Sequence, residues 1–422
     1  MKPVALLFTL AFTAVAQTNF PLTGAAGRGA GQTAALKITD NIYQANGFGN
    51  TFLITTPEGN VIVDTSGAQP AANHLRLLKA VSAAPVRYII LTHGHPDHTG
   101  GVALWKEAGT HVIAQKSQIE FLNYQARLDG FFAVRNQAQF GGRGQALAST
   151  QPSPGNYGAK QLADIFFDDH YEFTLGGVKF ELYSTPGETP DHLSVWIPQW
   201  KVAFTGDNYY ESFPNMYTLR GTEPRWALDY IHALDKVLAW KPEFVLPSHG
   251  QPIKTSTDVT FRLTKSRNAI QYVHDEVVKG MNAGKDVYTL MREIHLPDNL
   301  TVGEGYGKLS WSVRGIYEGY AGWFDLNPAT MYEVAPSAIY GDLVKLAGGP
   351  DTVTKLAGEK LAAGQNQEAL RLTDAALAAD PANRPALEMR LKVLEDLKSR
   401  SKNSNELGWL DYGIGQVRNK LT

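Results

Sequence analysis

Short runs of hydrophobic residues, separated by turn-forming residues, predict β-strands in the first 250 positions of the chain. Residues 51–63 carry two such runs around Pro57 and Gly59, which is the pattern of a β-hairpin. Residues 71–83 and 227–240 instead place their apolar side chains at helical spacing. Strand hairpins followed by alternating strands and helices favour an α/β sandwich over a doubly wound parallel sheet.

The pattern becomes helical beyond residue 254. Residues 257–284 have helical periodicity, and few strand patterns follow them. Residues 354–398 are rich in Ala and contain a DPAN turn, so they resemble the helix hairpins of tetratricopeptide-like repeats, which pack or dock more often than they catalyse. We therefore predict a helical region at residues 256–345 and a helical tail at residues 346–422.

The first residues have the layout of a secretory signal. Lys2 precedes an apolar run from Val4 to Val15, and Ala16 supplies a small residue before Gln17. The run is shorter than the roughly 20 residues that a membrane-spanning helix needs. We predict a signal peptide at residues 1–16, export to the periplasm or the medium, a flexible lead-in at residues 17–35 and no membrane span.

Composition limits the class of protein. A chain of 422 residues is long enough for two or three domains. Its formal net charge of −2 provides no basic face for nucleic acid. It contains no cysteine, so disulfides cannot staple an exported form. The stability of that form must come from its core and from any bound metal.

Residues 92–101, THGHPDHTGG, concentrate imidazole and carboxylate groups after an apolar strand. Four of them are metal-ligand types within six positions: His93, His95, Asp97 and His98. Packing alone rarely explains such a cluster, because each buried imidazole would need its own hydrogen-bond partner. The loop therefore indicates a metal site.

Further ligand types stand at the ends of later strands. His192 precedes the apolar run LSVWIP, Asp207 ends VAFTGD, and His249 ends FVLPSHG. A single histidine after a strand is more often an ordinary turn residue. Together with the preceding loop, however, these three residues fit convergence on one edge of a sandwich.

The motifs THGHPDHTGG, GETPDH, FTGD and PSHG are similar to those of the metallo-β-lactamase superfamily, whose metal motif is HxHxDH. The resemblance implies a metallo-β-lactamase αββα sandwich at residues 36–255, followed by an all-α C-terminal domain. It also implies two zinc ions, with manganese or iron as alternatives. The implied ligands are His93, His95 and His192 for one ion, Asp97, His98 and His249 for the other, and Asp207 as a bridge. Asp64 matches an acid that steadies the ligand loop in this superfamily.

The second half of the chain resembles the alkyl sulfatases, which are zinc enzymes that cleave sulfate esters of fatty alcohols. The similarity lies in NMYTLRGTEPRWAL, in the helical stretch that ends at residue 284, and in residues 312–332. It implies that residues 256–345 form a dimerisation region, so we expect a homodimer. It also implies that Tyr217 and Arg220 bind sulfate. Arg220 is a forked donor suited to a tetrahedral oxyanion, although a salt bridge at the domain junction is an alternative role for it.

Three positions depart from the alkyl sulfatase pattern. Glutamates are usual in that family where this chain has His192 and Asp207, and the histidine regarded as its proton donor corresponds to Trp311. A carboxylic ester or a lactone is therefore an alternative substrate class to an alkyl sulfate.

Residues 117–164 form a long stretch that we predict to be a loop acting as a lid or substrate wall. Its aromatic residues would either line an apolar pocket or pack the lid on the sheet. These are Phe121, Tyr124, Phe131 and Phe132.

These features predict a dinuclear, zinc-dependent hydrolase in which a metal-bridging hydroxide, oriented by Asp97 and Asp207, cleaves an ester-type bond of a small molecule. β-Lactam hydrolysis is one alternative. An iron-dependent redox enzyme of the same fold is a second, and a non-catalytic scaffold that uses the terminal helices is a third. Metal content and substrate turnover would distinguish them.

Overall fold

The structure, a computed structural model, describes residues 31–141 and 160–422. The predicted signal peptide at residues 1–16 and the lead-in as far as residue 30 lie outside these ranges, so both stay predictions. None of the described helices combines the length and the apolar character that crossing a membrane requires.

The first of two β-sheets contains seven strands that lie side by side in chain order. Its first three pairings are antiparallel and its last three are parallel. The predicted hairpin joins the third and fourth strands, with Gly59 at φ +133°, a conformation that favours glycine. The strands are β1 (Leu36–Lys37), β2 (Ile42–Ala45), β3 (Thr51–Thr56), β4 (Gly59–Val63), β5 (Val86–Ile90), β6 (His111–Gln115) and β7 (Ile165–Phe167).

The second sheet contains five strands in the order β12-β11-β10-β9-β8. Only β11 and β12 are parallel, because a crossover helix lies between them in the chain. The strands are β8 (His170–Leu175), β9 (Val178–Ser184), β10 (Leu193–Ile197), β11 (Val202–Gly206) and β12 (Phe244–Pro247).

Helices cover the outer faces of both sheets and give the predicted αββα sandwich. Phe52 of β3 and Phe204 of β11 meet edge-on in the core between the sheets. Leu77 packs a helix onto the first sheet, and Leu234 packs another onto the second. The helices of this part are α1 (Ala68–Lys79), α2 (Pro96–Thr99), α3 (Val102–Trp105), α4 (Gln118–Arg127), α5 (Asp129–Phe140) and α6 (Ala227–Ala239).

All eight described α-helices beyond residue 255 follow the sandwich without a further strand, as predicted. The first of them packs against α6 and shares its apolar core with the second sheet. The last one returns to the sandwich and packs against α5. They are α7 (Ser256–Asn282), α8 (Val287–Glu293), α9 (Leu309–Ala321), α10 (Tyr340–Leu346), α11 (Pro350–Ala362), α12 (Asn366–Ala379), α13 (Arg384–Arg400) and α14 (Ser404–Leu421).

The stretch predicted as one long loop begins instead with two helices, α4 and α5. Phe121 and Phe132 are buried, but Phe131 and Val134 are exposed. These exposed apolar side chains blur the one-sided pattern by which an amphipathic helix is recognised. Residues 142–159 of the stretch lie outside the described ranges.

Candidate metal centre

Five loops meet at one edge of the sandwich and bring the predicted ligands together. Four of these loops follow β4, β5, β11 and β12, and the fifth precedes β10. The loop after β5 touches the one before β10, where Leu193 donates its backbone N–H to the carbonyl of Thr92 at 2.7 Å. The structure thus places all seven predicted metal ligands in one cluster, although they span residues 93–249.

Asp64, at the end of β4, joins three of these loops. Its buried carboxylate accepts hydrogen bonds from the backbone N–H of Thr92 at 2.8 Å and from its hydroxyl at 2.9 Å. It also accepts from Ser248 Oγ at 2.7 Å and from His98 Nδ1 at 2.8 Å. Asp64 holds the left-handed backbone angle φ 55°, and these four donors stabilise it there.

The bond from His98 to Asp64 determines which ring nitrogen of His98 faces the cluster. In the neutral ring, Nδ1 carries the donated proton and Nε2 keeps its lone pair. Nε2 lies 3.5 Å from Asp97 Oδ2 and 3.4 Å from Asp207 Oδ2. It is buried and has no hydrogen-bond partner among the described residues. A lone pair that faces two carboxylates is suited to a cation between them.

His249 is arranged in a similar way, except that its Nε2 lies within hydrogen-bond distance of a carboxylate. Its Nδ1 donates to the backbone carbonyl of Phe48. Its Nε2 lies 3.0 Å from Asp207 Oδ2 and 3.5 Å from Asp97 Oδ2. His98, His249 and Asp97 therefore form one group of ligand atoms, all within 4.8 Å of one another.

His93 and His95 form the other side of the cluster. His93 Nε2 lies 2.8 Å from His95 Nδ1 and 3.9 Å from Asp207 Oδ2. Burial lowers the pKa of both histidines, so both are neutral and able to act as ligands near pH 7. Asp207 is thus shared between the two sides.

His192 stacks on His93 with ring centroids 5.2 Å apart. Its Nε2 accepts the backbone N–H of Asp207 at 3.1 Å, and its Nδ1 lies 3.3 Å from the hydroxyl of Thr185. His192 therefore lies at the cluster, but its Nε2 is engaged by the backbone and does not belong to any group of ligand atoms found among the described residues.

Glu188 is a residue of the cluster that the sequence analysis missed. Its Oε1 lies 4.0 Å from His95 Nδ1, and it groups with His95 and Asp207. Arg225 pairs with the same oxygen, and Tyr230 donates its hydroxyl to Oε2 at 2.6 Å. Burial raises the pKa of Glu188 to about 7, although Arg225 opposes the shift. The sequence signal that could have identified Glu188 is its position in GETPDH, four residues before His192.

The charges of the cluster are strongly coupled. Burial opposes ionisation of Asp207, but His249 and His98 hold its pKa well below the usual range. Burial likewise disfavours a charged His98, yet the carboxylates of Asp207, Asp97 and Asp64 raise its pKa. The anionic oxygens therefore attract positive charge onto the imidazoles, and a divalent cation supplies such charge. The donor set fits a metal.

The two predicted sulfate-binding residues lie in different places. Arg220 reaches the cluster, where its Nη2 lies 3.4 Å from His95 Nε2. Tyr217 is 39% exposed and packs against Gly315 of α9, in a cleft that it shares with Trp226. None of the predicted metal ligands lines that cleft within the described part of the chain.

A cavity of about 910 Å³ opens beside Asp97, between α5 and α14. Tyr306 lines it and was also missed by the sequence analysis. Trp311 lies on α9 with Lys308 Nζ 5.5 Å from its ring, and does not line this cavity. The four aromatic residues considered as a pocket lining do not line this cavity either; they are Phe121, Tyr124, Phe131 and Phe132. Phe121 instead packs edge-on against His95, with ring centroids 5.3 Å apart.

Comparison with known proteins places the chain in a family. Residues 45–249 match the metallo-beta-lactamase superfamily, and residues 288–419 match the alkyl sulfatase dimerisation family. A linear primary-alkylsulfatase of Pseudomonas sp. (strain ATCC 19151) is 30% identical over 393 residues, which are 87% of this chain and 74% of that protein. The chain belongs to the alkylsulfatase family of metal-dependent hydrolases. The predicted superfamily and branch are thereby confirmed.

A further relative and a solved structure are also similar to the chain. Alkyl/aryl-sulfatase BDS1 of Saccharomyces cerevisiae is 29% identical over 390 residues, which are 86% of this chain and 60% of the yeast protein. The solved structure of the stereoselective inverting sec-alkylsulfatase Pisa1 from Pseudomonas sp. has the same fold, with a TM-score of 0.83 and 24% identity over 92% of this chain and 66% of that one. The chain thus spans 60% of the length of the yeast protein and 66% of the length of the solved chain. The dimerisation match also crosses the boundary that we placed between residues 345 and 346.

The role of Asp64 leads to a prediction about stability. Asp64→Asn replaces a carboxylate that accepts four hydrogen bonds by an amide, whose nitrogen can only donate. We therefore expect the free energy of unfolding of the metal-free protein, measured by urea denaturation, to fall by about 2–3 kcal/mol. Asp40→Asn, which changes an exposed carboxylate paired with Lys37, should leave the urea midpoint unchanged. Equal midpoints for the two variants would refute the anchoring role.

Proposed function

We propose that the protein is a dinuclear metal hydrolase that cleaves sulfate esters of alcohols. The observation that carries this proposal is the shared carboxylate of Asp207. Its Oδ2 lies 3.0 Å from His249 Nε2, 3.4 Å from His98 Nε2 and 3.9 Å from His93 Nε2. An anionic oxygen between two sets of imidazole nitrogens suits a bridge between two cations.

Each cation would be held by one side of the cluster. The proposed ligands are His93 and His95 on one side, Asp97, His98 and His249 on the other, and Asp207 between them. His192 would complete the first side by releasing the backbone N–H of Asp207. Nitrogen and carboxylate ligands suit zinc, and also manganese or iron.

Two bound divalent cations would lower the pKa of a water molecule and polarise the ester. The residues of the chain would bind the sulfate group and exclude water. Arg220 presents forked N–H donors next to His95 for the sulfate oxygens. Phe132 lies 6.0 Å from the Arg220 guanidinium, and Phe121 covers His95, so both exclude water from this side. The cavity beside Asp97 would receive the organic part of the ester.

A carboxylic ester or lactone is the second candidate substrate. Trp311 favours it, because an indole cannot deliver the proton that the corresponding histidine of alkyl sulfatases is regarded as donating. We also propose that the protein is exported. The signal-like pattern of residues 1–16 supports that proposal.

Turnover by zinc-loaded protein tests the proposed activity. The substrates are an alkyl sulfate, a carboxylic ester, a lactone and a chromogenic cephalosporin, and we expect the alkyl sulfate to have the highest kcat/KM. Asp97→Ala should reduce that value by more than about a hundredfold, because it removes a ligand. The control Asp298→Ala changes an exposed aspartate and should retain full activity. Sulfate-ester turnover that survives in Asp97→Ala would contradict the dinuclear proposal. A wild-type enzyme that does not cleave alkyl sulfate would contradict the proposed substrate class.

Arg220 has its own test. In Arg220→Ala, kcat/KM for the anionic sulfate ester should fall about 10- to 100-fold, the value of charge-assisted hydrogen bonds. A neutral carboxylic ester should lose much less. Arg127→Ala on α4, whose guanidinium pairs with Glu120 at the surface, is the matched control. Equal losses on both esters would assign Arg220 to a structural role.

We propose further that the enzyme is a homodimer, joined by an apolar segment at residues 323–346. The match to a dimerisation family supports this. So does the exposure of large apolar side chains, which a monomer rarely displays together. Those exposed by half or more are Trp323, Leu326, Met331, Tyr332, Val334, Ile339, Leu343 and Leu346.

Light scattering coupled to size exclusion tests this surface. The wild type should elute as a dimer and the double variant Trp323→Glu/Leu326→Glu as a monomer, because two buried charges would oppose association. Leu104→Glu, at an exposed leucine of α3, should remain dimeric. A dimeric double variant would place the interface elsewhere.

A further inference from the structure

The side chain of Gln139, near the end of α5, joins the C-terminal helix α14 to the loop that carries Arg220. Gln139 is 2% exposed. Its Oε1 accepts the backbone N–H of Arg220 at 3.1 Å and the indole N–H of Trp409 at 3.1 Å. Its Nε2 donates to Asn405 Oδ1 at 2.9 Å. Three of the four hydrogen-bonding sites of this buried amide are therefore engaged, and two of its three partners belong to α14.

Arg135, one turn earlier on α5, holds the same loop from the other side. Its Nε donates to the carbonyl of Arg220 and its Nη2 to the carbonyl of Leu219, both at 2.7 Å. Its guanidinium also lies 5.7 Å from the ring of Trp409. The backbone of Arg220 is thus fixed at its N–H and at its C=O by two residues that both contact Trp409.

The backbone of α14 lies directly against the backbone of α5 at Gly408. A Cβ placed on Gly408 would overlap the carbonyl oxygen of Gln139, so only glycine fits there. This contact fixes the position of Trp409 and Asn405 relative to Gln139. The arrangement is therefore determined by backbone packing as well as by side-chain hydrogen bonds.

The start of α14 also holds the loop that carries Tyr306. Asn403 and Asn405 each donate a side-chain amide hydrogen to the Tyr306 carbonyl, both at 2.9 Å. Leu407 and Tyr412, further along the helix, line the same cavity as Tyr306 and Asp97. One helix therefore contributes to the cavity wall and fixes two loops that face the metal ligands.

We infer that α14 contributes to the active site. Trp409 of α14 and Gln139 of α5 are positioning residues, which hold Arg220 so that its guanidinium can bind the sulfate group of the substrate. This inference rests on the proposed sulfatase function. A guanidinium binds an anion well only when its backbone is fixed, because ordering a loose loop consumes binding free energy. Loss of the Gln139 amide would leave the N–H groups of Arg220 and Trp409 without their acceptor.

The test measures sulfate binding and steady-state kinetics in the full-length enzyme. In Gln139→Met, which keeps the length and burial of the side chain, the inhibition constant of inorganic sulfate and the KM for an alkyl sulfate should rise about three- to tenfold. The kcat and the metal content should change little. Trp409→Phe keeps an aromatic ring but removes the N–H donor, and should shift both constants in the same direction by a smaller factor. The control Gln367→Met alters an exposed glutamine of α12 and should behave as wild type.

In the double variant Gln139→Met/Trp409→Phe, the KM and the sulfate inhibition constant should rise by less than the product of the two single effects, because the residues share one hydrogen bond.

If the KM and the sulfate inhibition constant stay at wild-type values in both single variants, the inference is overturned. A fall in kcat and in melting temperature with unchanged sulfate affinity would also overturn it, because that result indicates a structural role alone. If Gln139→Met does not fold, the Trp409→Phe result decides. A wild-type enzyme that neither cleaves alkyl sulfate nor binds sulfate would instead overturn the proposed function, and this inference with it.

Discussion

The buried carboxylate of Asp64 is the contact on which the whole cluster depends. It accepts four hydrogen bonds from two other loops that are far apart in the sequence, and so holds Thr92, His98 and Ser248 against one another. Ser248 directly precedes His249, and Thr92 directly precedes His93. Fixing these neighbours fixes the ligands themselves. The same carboxylate sets the His98 tautomer, so that the free lone pair faces the other acids.

The two parts of the chain build one site. The sandwich supplies the proposed metal ligands from the ends of its strands. The helical region supplies Tyr306 and the cavity wall, and α14 fixes the loop of Arg220 through α5. We therefore propose that the tail, which resembles a docking repeat in sequence, belongs to the catalytic unit through α14. An exposed apolar segment at residues 323–346 remains available for a second copy of the chain.

The fold and the ligand cluster could be predicted from the sequence, because strand patterns are local and each predicted ligand stands in a short motif at a strand end. Strand ends carry the ligands, and the motif at residues 92–101 is dense enough to be recognised alone. Glu188 and Gln139 were missed because their partners are distant: Gln139 contacts Trp409 across 270 positions. Tyr217 and Arg220 are three residues apart, yet only Arg220 reaches the cluster, because the intervening turn directs them to different sides. Helices α4 and α5 were hidden by the apolar residues on their exposed faces.

The central claim is that two cations share Asp207. Anomalous-difference density at the zinc absorption edge, from crystals of the zinc-loaded protein, tests it most directly. Two peaks are expected, one against His93 and His95 and the other against Asp97, His98 and His249, with the Asp207 carboxylate between them. A single peak, or two peaks that leave Asp207 without a contact, would contradict it.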